Sequence, residues 1–298
     1  MTETAVSITH LPEVTARRGV WPALRRRPLF WISLVLLAVL ALIALVPQVF
    51  AGLFGQPDPR ACFLADSAQP PSPEHVFGTD LQGCDIYANV IYGTSSSLFI
   101  GLVTTALALS VAMVVGTIAG YYGGIADTVV SRLTDIFLGF PFILGAIIVL
   151  NSVGTPTPAV VALVLAAFSW PTLARLVRGS VRAVRPTDYV QAARALGIGD
   201  AGILWRHVLP NAIGPVLAIT ATMVGSVIVA EATLTFLGVG LRSPSISWGL
   251  QLANAQSYFA GSPHMLLFPA LFLSVTVLAL ITLGDILRDA LDPKGRTS

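Results

Sequence analysis

Charge is what this sequence most lacks. Of its 298 residues only 11% are Asp, Glu, Lys or Arg, whereas 55% are hydrophobic; soluble domains carry roughly 25% charged residues. Mean hydropathy is +0.80. Such a chain cannot clothe a water-soluble fold in polar side chains, so it reads as a multispanning membrane protein. There is no G-x-x-x-x-G-K-[ST] phosphate loop, so ATP hydrolysis is not expected of this chain itself. The four histidines, His10, His75, His207 and His264, are scattered with no i, i+4 pair, which argues against a histidine-built metal site. No Ser or Asp combination inside the apolar runs suggests an intramembrane hydrolase. A net charge of +2 is too small to argue for a nucleic-acid partner.

What is present divides by hydropathy. Residues 1–28 are polar and basic, with Arg17, Arg18, Arg25, Arg26 and Arg27 just before the first apolar run and Trp21 and Trp31 suited to the headgroup zone. Residues 29–50 form the first span, longer than the ~7–15 residues of a secretory signal core. Residues 51–97 form a Pro-rich external connection. Its end, HVFGTDLQGCDIYANVIYG, places Ile86, Tyr87, Val90 and Ile91 at helical spacing and predicts an amphipathic helix lying in the interface. Both cysteines, Cys62 and Cys84, fall in this connection. Outside the cell they can pair as a disulfide; the alternative is two unpaired thiols.

The membrane core occupies 98–287. A second span covers Leu98–Ala119, where Gly116, Gly120 and Gly124 at four-residue spacing predict a face that packs closely on another helix. After a short loop, a third span covers 133–153, with Asp135 near its start as a capping or snorkelling group and Pro141 inside. The fourth, 159–174, is short and interrupted by Pro171, and is followed by Arg175, Arg178, Arg182 and Arg185. A fifth span covers 212–230. Residues 231–264 are expected to form a partly structured lid at the outer face; the sixth span covers 265–283, and 288–298 is a polar tail. With the N-terminus inside and six spans, fifteen of the seventeen basic residues fall on the cytoplasmic side and only Arg60 and Arg242 outside, which orients both termini and the 186–211 segment to the cytoplasm.

That segment, PTDYVQAARALGIGDAGILWRHVLPN, is the one long polar and basic interruption in the second half of the chain. Asp188 followed by Gln191 has the form of a capping box, Ala192 and Ala193 favour helix, and Gly197 sits where a helix end needs positive φ. Asp200 is placed to cap a second helix that Pro210 should end. Two other readings fail on context. Gly197-Ile198-Gly199-Asp200-Ala201-Gly202 matches a dinucleotide fingerprint but lacks the strand and βαβ unit that the fingerprint requires. A DNA-reading helix pair with Arg194, Arg206 and His207 would be tethered to the bilayer at both ends.

The pattern Gln191-Ala192-Ala193, three residues, Gly197, nine residues, His207-Val208-Leu209-Pro210 resembles the EAA loop in membrane subunits of ATP-binding-cassette importers, with Gln191 where that family has Glu. Further stretches, FGTDLQGCDIYANVIYG, AGYYGG, LTFLGVG, SPSISWG and LRDALDPK, resemble the C-type subunit of its dipeptide, oligopeptide and nickel branch over roughly 76–296. The resemblance implies an all-α fold of six transmembrane helices, the type I importer permease fold, in a bacterial cytoplasmic membrane. It implies that Asp188, Gln191, Ala192, Ala193, Gly197, Arg206, His207 and Pro210 belong to a loop coupled to separate ATPase subunits, one fused chain or two, which bind the ATP and magnesium. The other implied partners are a second, B-type permease subunit, an external solute-binding protein and membrane lipid, with peptides as cargo and nickel as the rival. The chain itself would be no enzyme and bind no cofactor. From other classes, an ATP-independent carrier or a structural assembly subunit remain as alternatives.

Overall fold

The computed structural model describes residues 20–291; the expectations on Arg17, Arg18, His10, Lys294 and Arg296 lie outside them. Among the described residues the regular structure is helical, without strands; 55–85 and 237–247 are mostly turns and irregular chain. The elements are α1 (Val20–Leu24), α2 (Pro28–Leu45), α3 (Pro47–Phe54), α4 (Ile86–Tyr122), α5 (Gly124–Gly139), α6 (Phe142–Val153), α7 (Pro158–Val184), α8 (Asp188–Ala195), α9 (Asp200–Ile203), α10 (Leu209–Phe236), α11 (Trp248–Ala255) and α12 (His264–Leu291). Five helical stretches, Pro28–Leu45, Ile86–Tyr122, Pro158–Val184, Asp200–Phe236 and His264–Leu291, are long and apolar enough to cross a bilayer. The pair α5 and α6, bent by 80°, makes a sixth where the two are counted as one broken span.

Helix starts follow local chemistry. Pro28, Pro47 and Pro158 occupy first-turn positions, where the missing N–H has no intrahelical role. The Asp85 carboxylate accepts from Ala88 N at 2.8 Å and opens α4. The centre of the bundle is the α4–α7 pair. A Cβ on Gly116 would stand 2.7 Å from the Ala174 carbonyl oxygen, and one on Gly120 would stand 2.8 Å from that of Arg178. Glycine at these two positions therefore sets the closeness of the two helices, as their spacing predicts. Gly124 is not part of that seam: it starts α5 at φ +55 with open space around it.

Four boundaries differ from the sequence expectation, each for a physical reason. The expected interfacial helix is the first three turns of α4, and Ile86, Tyr87, Val90 and Ile91 are buried in protein, against neighbours that include Phe77 and Phe272. Helical spacing shows one apolar face but not whether protein or lipid covers it. Residues 124–139, expected as a loop and span start, are the helix α5, and the third span breaks at Pro141, which caps α6. Pro171 does not interrupt α7, which runs on to Val184, so Arg175, Arg178 and Arg182 ride on the same helix as the fourth span. Pro210 does not end a helix either. A wide π turn, Leu204–Val208, passes directly into α10, and its looser i to i+5 bonding, closed by Leu209 N on the Leu204 carbonyl, lets the chain pass Pro210 without stopping.

The two ends of the bundle are built differently. At one end, Arg27 pairs with Asp289 at 2.8 Å, and Leu24 and Phe30 pack on Ile286 and Ala290, joining α1 and α2 to the end of α12. At the other, residues 55–85 fold into a cap over the start of α4. Cys62 and Cys84 form a disulfide there. Phe77 stacks on Phe268 with centroids 3.9 Å apart, and the His264 ring lies 3.3 Å from the Thr79 carbonyl. The 231–264 segment is partly structured but anchored: Trp248 of α11 is wholly buried and donates from Nε1 to the Val90 carbonyl at 3.0 Å.

Candidate functional site

The 186–211 segment folds at the α1/α12 end of the bundle, with Leu291 of α12 approaching Gly214 just beyond it. It is a helix, an elbow and a second short helix. α8 is amphipathic: Val190 and Ala193 turn inward and join Ile203, Val208, Val181 and Tyr121 in one apolar cluster. Tyr189, Ala192, Leu196 and Trp205 face outward, with Leu196 82% and Trp205 71% exposed. Large exposed apolar side chains gathered on one short segment form a surface that another protein or lipid can cover.

The capping chemistry differs from the sequence reading. Thr187, not Asp188, is the residue at the N-cap of α8; Asp188 is exposed in the first turn, where its charge favours the helix N-terminus without a capping bond. Gln191 closes no capping box. Its Nε2 donates at 3.3 Å to the Arg185 carbonyl, tying α8 back to the end of α7. Gly197 has φ +80 and open space where a Cβ would stand, so conformation alone demands glycine there. Gly199 occupies the N-cap of α9, which leaves the Asp200 carboxylate free for other partners. Arg206 is exposed, and the His207 carbonyl accepts from Asn211 Nδ2 at 2.7 Å across the start of α10. Pro210 is exposed.

Sequence reasoning missed the groups that hold this loop to the bundle. The Tyr121 hydroxyl, at the end of α4, donates to Asp200 Oδ1 at 2.6 Å and receives from Arg194 NH2 at 3.4 Å. Arg194 and Asp200 approach each other to 3.8 Å, and the Arg185 guanidinium lies 5.9 Å over the Tyr121 ring. Farther along α7, Arg178 binds Asp127 of α5, with NH2 to Oδ2 at 2.9 Å, and Arg182 reaches the same carboxylate at 3.4 Å. Asp135 pairs with Arg175. The i, i+4 spacing of Arg178 and Arg182 was the available signal for the shared carboxylate; for Tyr121 the sequence offered only AGYYGG as a turn.

The opposite end holds a cavity of about 330 Å³ beside the disulfide, lined by Arg60, Asp80, Asn89, Ser245, Gln251 and Asn254 among others. Burial pushes the Asp80 carboxyl above its ordinary value, against the pull of backbone N–H groups from Cys84, Gln82 and Gly83. Behind the cavity, the buried Glu231 Oε1 accepts from Thr235 at 3.0 Å and Ser247 at 3.1 Å. Ser247 in turn caps α11 by accepting from Leu250 N at 3.2 Å, so α10 and α11 are joined through one carboxylate. Among the described residues no group of three or more His, Cys, Asp or Glu side chains is placed to hold a metal ion.

Comparison with known proteins places this geometry. A model of the family described as binding-protein-dependent transport system inner membrane component matches residues 112–297. The chain is 39% identical over 282 residues to a putative peptide transport system permease protein of Brucella suis biovar 1, covering 94% of this chain and 91% of the relative. It is 34% identical to the dipeptide transport system permease protein DppC of Alkalihalophilus pseudofirmus, with the same coverage of 94% and 91%. A crystal structure described as an amino acid ABC transporter with histidines superposes with a TM-score of 0.53 at 19% identity, covering 67% of this chain and 92% of that one, and supports the fold. The chain belongs to the binding-protein-dependent transport system inner membrane components, the multi-pass permease subunits of ATP-binding-cassette importers.

Proposed function

We propose that this chain is one of two permease subunits of a peptide importer, and that Pro186–Asn211 is where separate ATPase subunits engage it. The observation that carries the coupling role is the split face of the loop. Val190, Ala193, Ile203 and Val208 seat it on the bundle, while Tyr189, Ala192, Leu196 and Trp205 stay uncovered for a second protein. ATP and magnesium belong to that partner, and this chain performs no catalysis of its own. A second permease subunit completes the passage, and an external solute-binding protein delivers cargo to the capped end. The excess of basic residues near the loop supports a cytoplasmic location for it and for both termini, in a bacterial cytoplasmic membrane. Peptide cargo is supported by the relatives' peptide and dipeptide transport names. The core permease unit begins at Ile86, where α4 begins, and α2 is an added first span.

The mechanism follows from how the parts are joined. Closure of the ATPases moves α8 and α9, and because the π turn leads into α10 without a break, that motion passes into the membrane helix and on to the capped end, where Glu231 joins α10 to α11. The test is Ala192→Glu. Ala192 is exposed, so the variant should insert and fold as before, while a charge buried against the ATPase lowers uptake of a labelled dipeptide about tenfold or more. Undiminished uptake with normal ATPase copurification would refute the coupling role. Transport of nickel but of no di- or oligopeptide would remove the cargo assignment and leave the importer reading standing.

A further inference from the structure

We propose that Tyr121 is a positioning residue for transport: its hydroxyl sets the register in which the 186–211 loop pulls on the end of α4. The proposal rests on the reading of that loop as the ATPase-coupled element. Four separate pieces of chain converge on this one side chain. Tyr121 lies in the last turn of α4, Arg185 caps the C-terminus of α7, Arg194 lies in α8 and Asp200 opens α9. The ring is buried to 3% exposure, its face toward the Arg185 guanidinium, and its hydroxyl both donates to Asp200 and accepts from Arg194.

Apart from the long bond from Gln191 to the Arg185 carbonyl, the rest of the loop's side-chain attachment is apolar. Contacts of Val190, Ala193, Ile203 and Val208 hold the loop near the bundle, but apolar contact has no preferred direction and tolerates sliding. A hydrogen bond to a charged group weakens steeply off its line, so the Asp200–Tyr121–Arg194 set resists that sliding. It also binds two helices on either side of the Gly197 elbow to the same atom. A push on α8 and a push on α9 therefore reach α4 together, and α4 is the helix that packs glycine to backbone on α7. Phenylalanine at 121 would keep the ring, its packing and the Arg185 contact and lose only the hydroxyl.

The experiment uses the full importer purified with its ATPases and reconstituted with its solute-binding protein. Tyr121→Phe should assemble and hydrolyse ATP, while cargo moved per ATP falls by roughly threefold to tenfold, the size of an equilibrium change on losing one ordinary hydrogen bond, since the Asp200 carboxylate stands largely in solvent. Asp200→Asn should have a similar effect, and the double variant should be no worse than the stronger single one. Spin labels at Tyr122 and Leu196, both exposed, should show a broader distance distribution in Asp200→Asn than in the wild type. A cargo-to-ATP ratio unchanged in both variants, while Ala192→Glu uncouples, would overturn this role and leave the coupling loop intact. If Ala192→Glu also transports normally, the coupling reading falls and this one with it. Should Tyr121→Phe fail to assemble, Asp200→Asn on the loop side decides by the same ratio.

Discussion

The two ends of this bundle are held by opposite means. The capped end is closed by a disulfide, a wholly buried tryptophan and a buried carboxylate that joins two helices. The loop end is seated by four small or medium apolar side chains and steered by a hydroxyl, a carboxylate and two guanidinium groups near the surface. A covalent cross-link and deeply buried hydrogen-bonded side chains restrict an end to one arrangement, whereas shallow contacts exchange. On the proposed coupling role, the more firmly held end is the capped one and the more lightly held end is the one the ATPases would move.

That contrast can be broken or sharpened experimentally. Trp248→Ala removes a fully buried ring and its bond to Val90, and should cost about 3–5 kcal/mol, read as an earlier thermal unfolding midpoint in detergent; a loss below 1 kcal/mol would mean that the capped end is not tightly built. Cys62→Ser opens a loop of sequence separation 22 and should cost about 3 kcal/mol, while cargo moved per ATP in the surviving protein stays as in wild type. Gly197→Ala forces alanine to φ +80 at about 1–2 kcal/mol of local strain. Because nothing else crowds that site, the global unfolding midpoint should barely move while uptake drops a few-fold; equal uptake would show that the elbow does not matter to coupling. The smallest effect concerns Asp80. Its pKa is raised in the folded state, so protonation favours folding: the gain is full below 3.8 and disappears as pH rises through the higher folded value. Asp80→Asn should flatten that part of the pH–stability profile, and an unchanged profile would remove Asp80 as its source.

Much of this was legible in the residues. The apolar runs marked the five long spans and the bent α5–α6 pair, Gly116 and Gly120 marked a close-packing face on α4 without its partner, and 186–211 stood out by polarity. Proline was the recurrent source of error. Pro171 and Pro210 were read as breaks, yet in a membrane helix neighbouring groups and local π adjustments take up the carbonyl that a proline frees, as the turn Leu204–Val208 does before Pro210. Pro141, read as internal to a span, is where the chain turns. Ile86 and Tyr87 show the other limit: a periodic apolar face looks the same in sequence whether lipid or protein covers it. Tyr121 was invisible for a related reason, since a tyrosine at a membrane edge is ordinarily a headgroup anchor, and its partners lie 73 and 79 residues away in the chain.

The unbroken course from Asp200 to Phe236 has a mechanical corollary. At 37 residues it is a rod about 55 Å long. Pivoting by five degrees about its midpoint would swing each tip by about 2.4 Å, in opposite senses. If the stretch turned as one body, a nudge at the Asp200 tip no wider than a hydrogen-bond length would reach the end that carries Glu231 in the opposite sense.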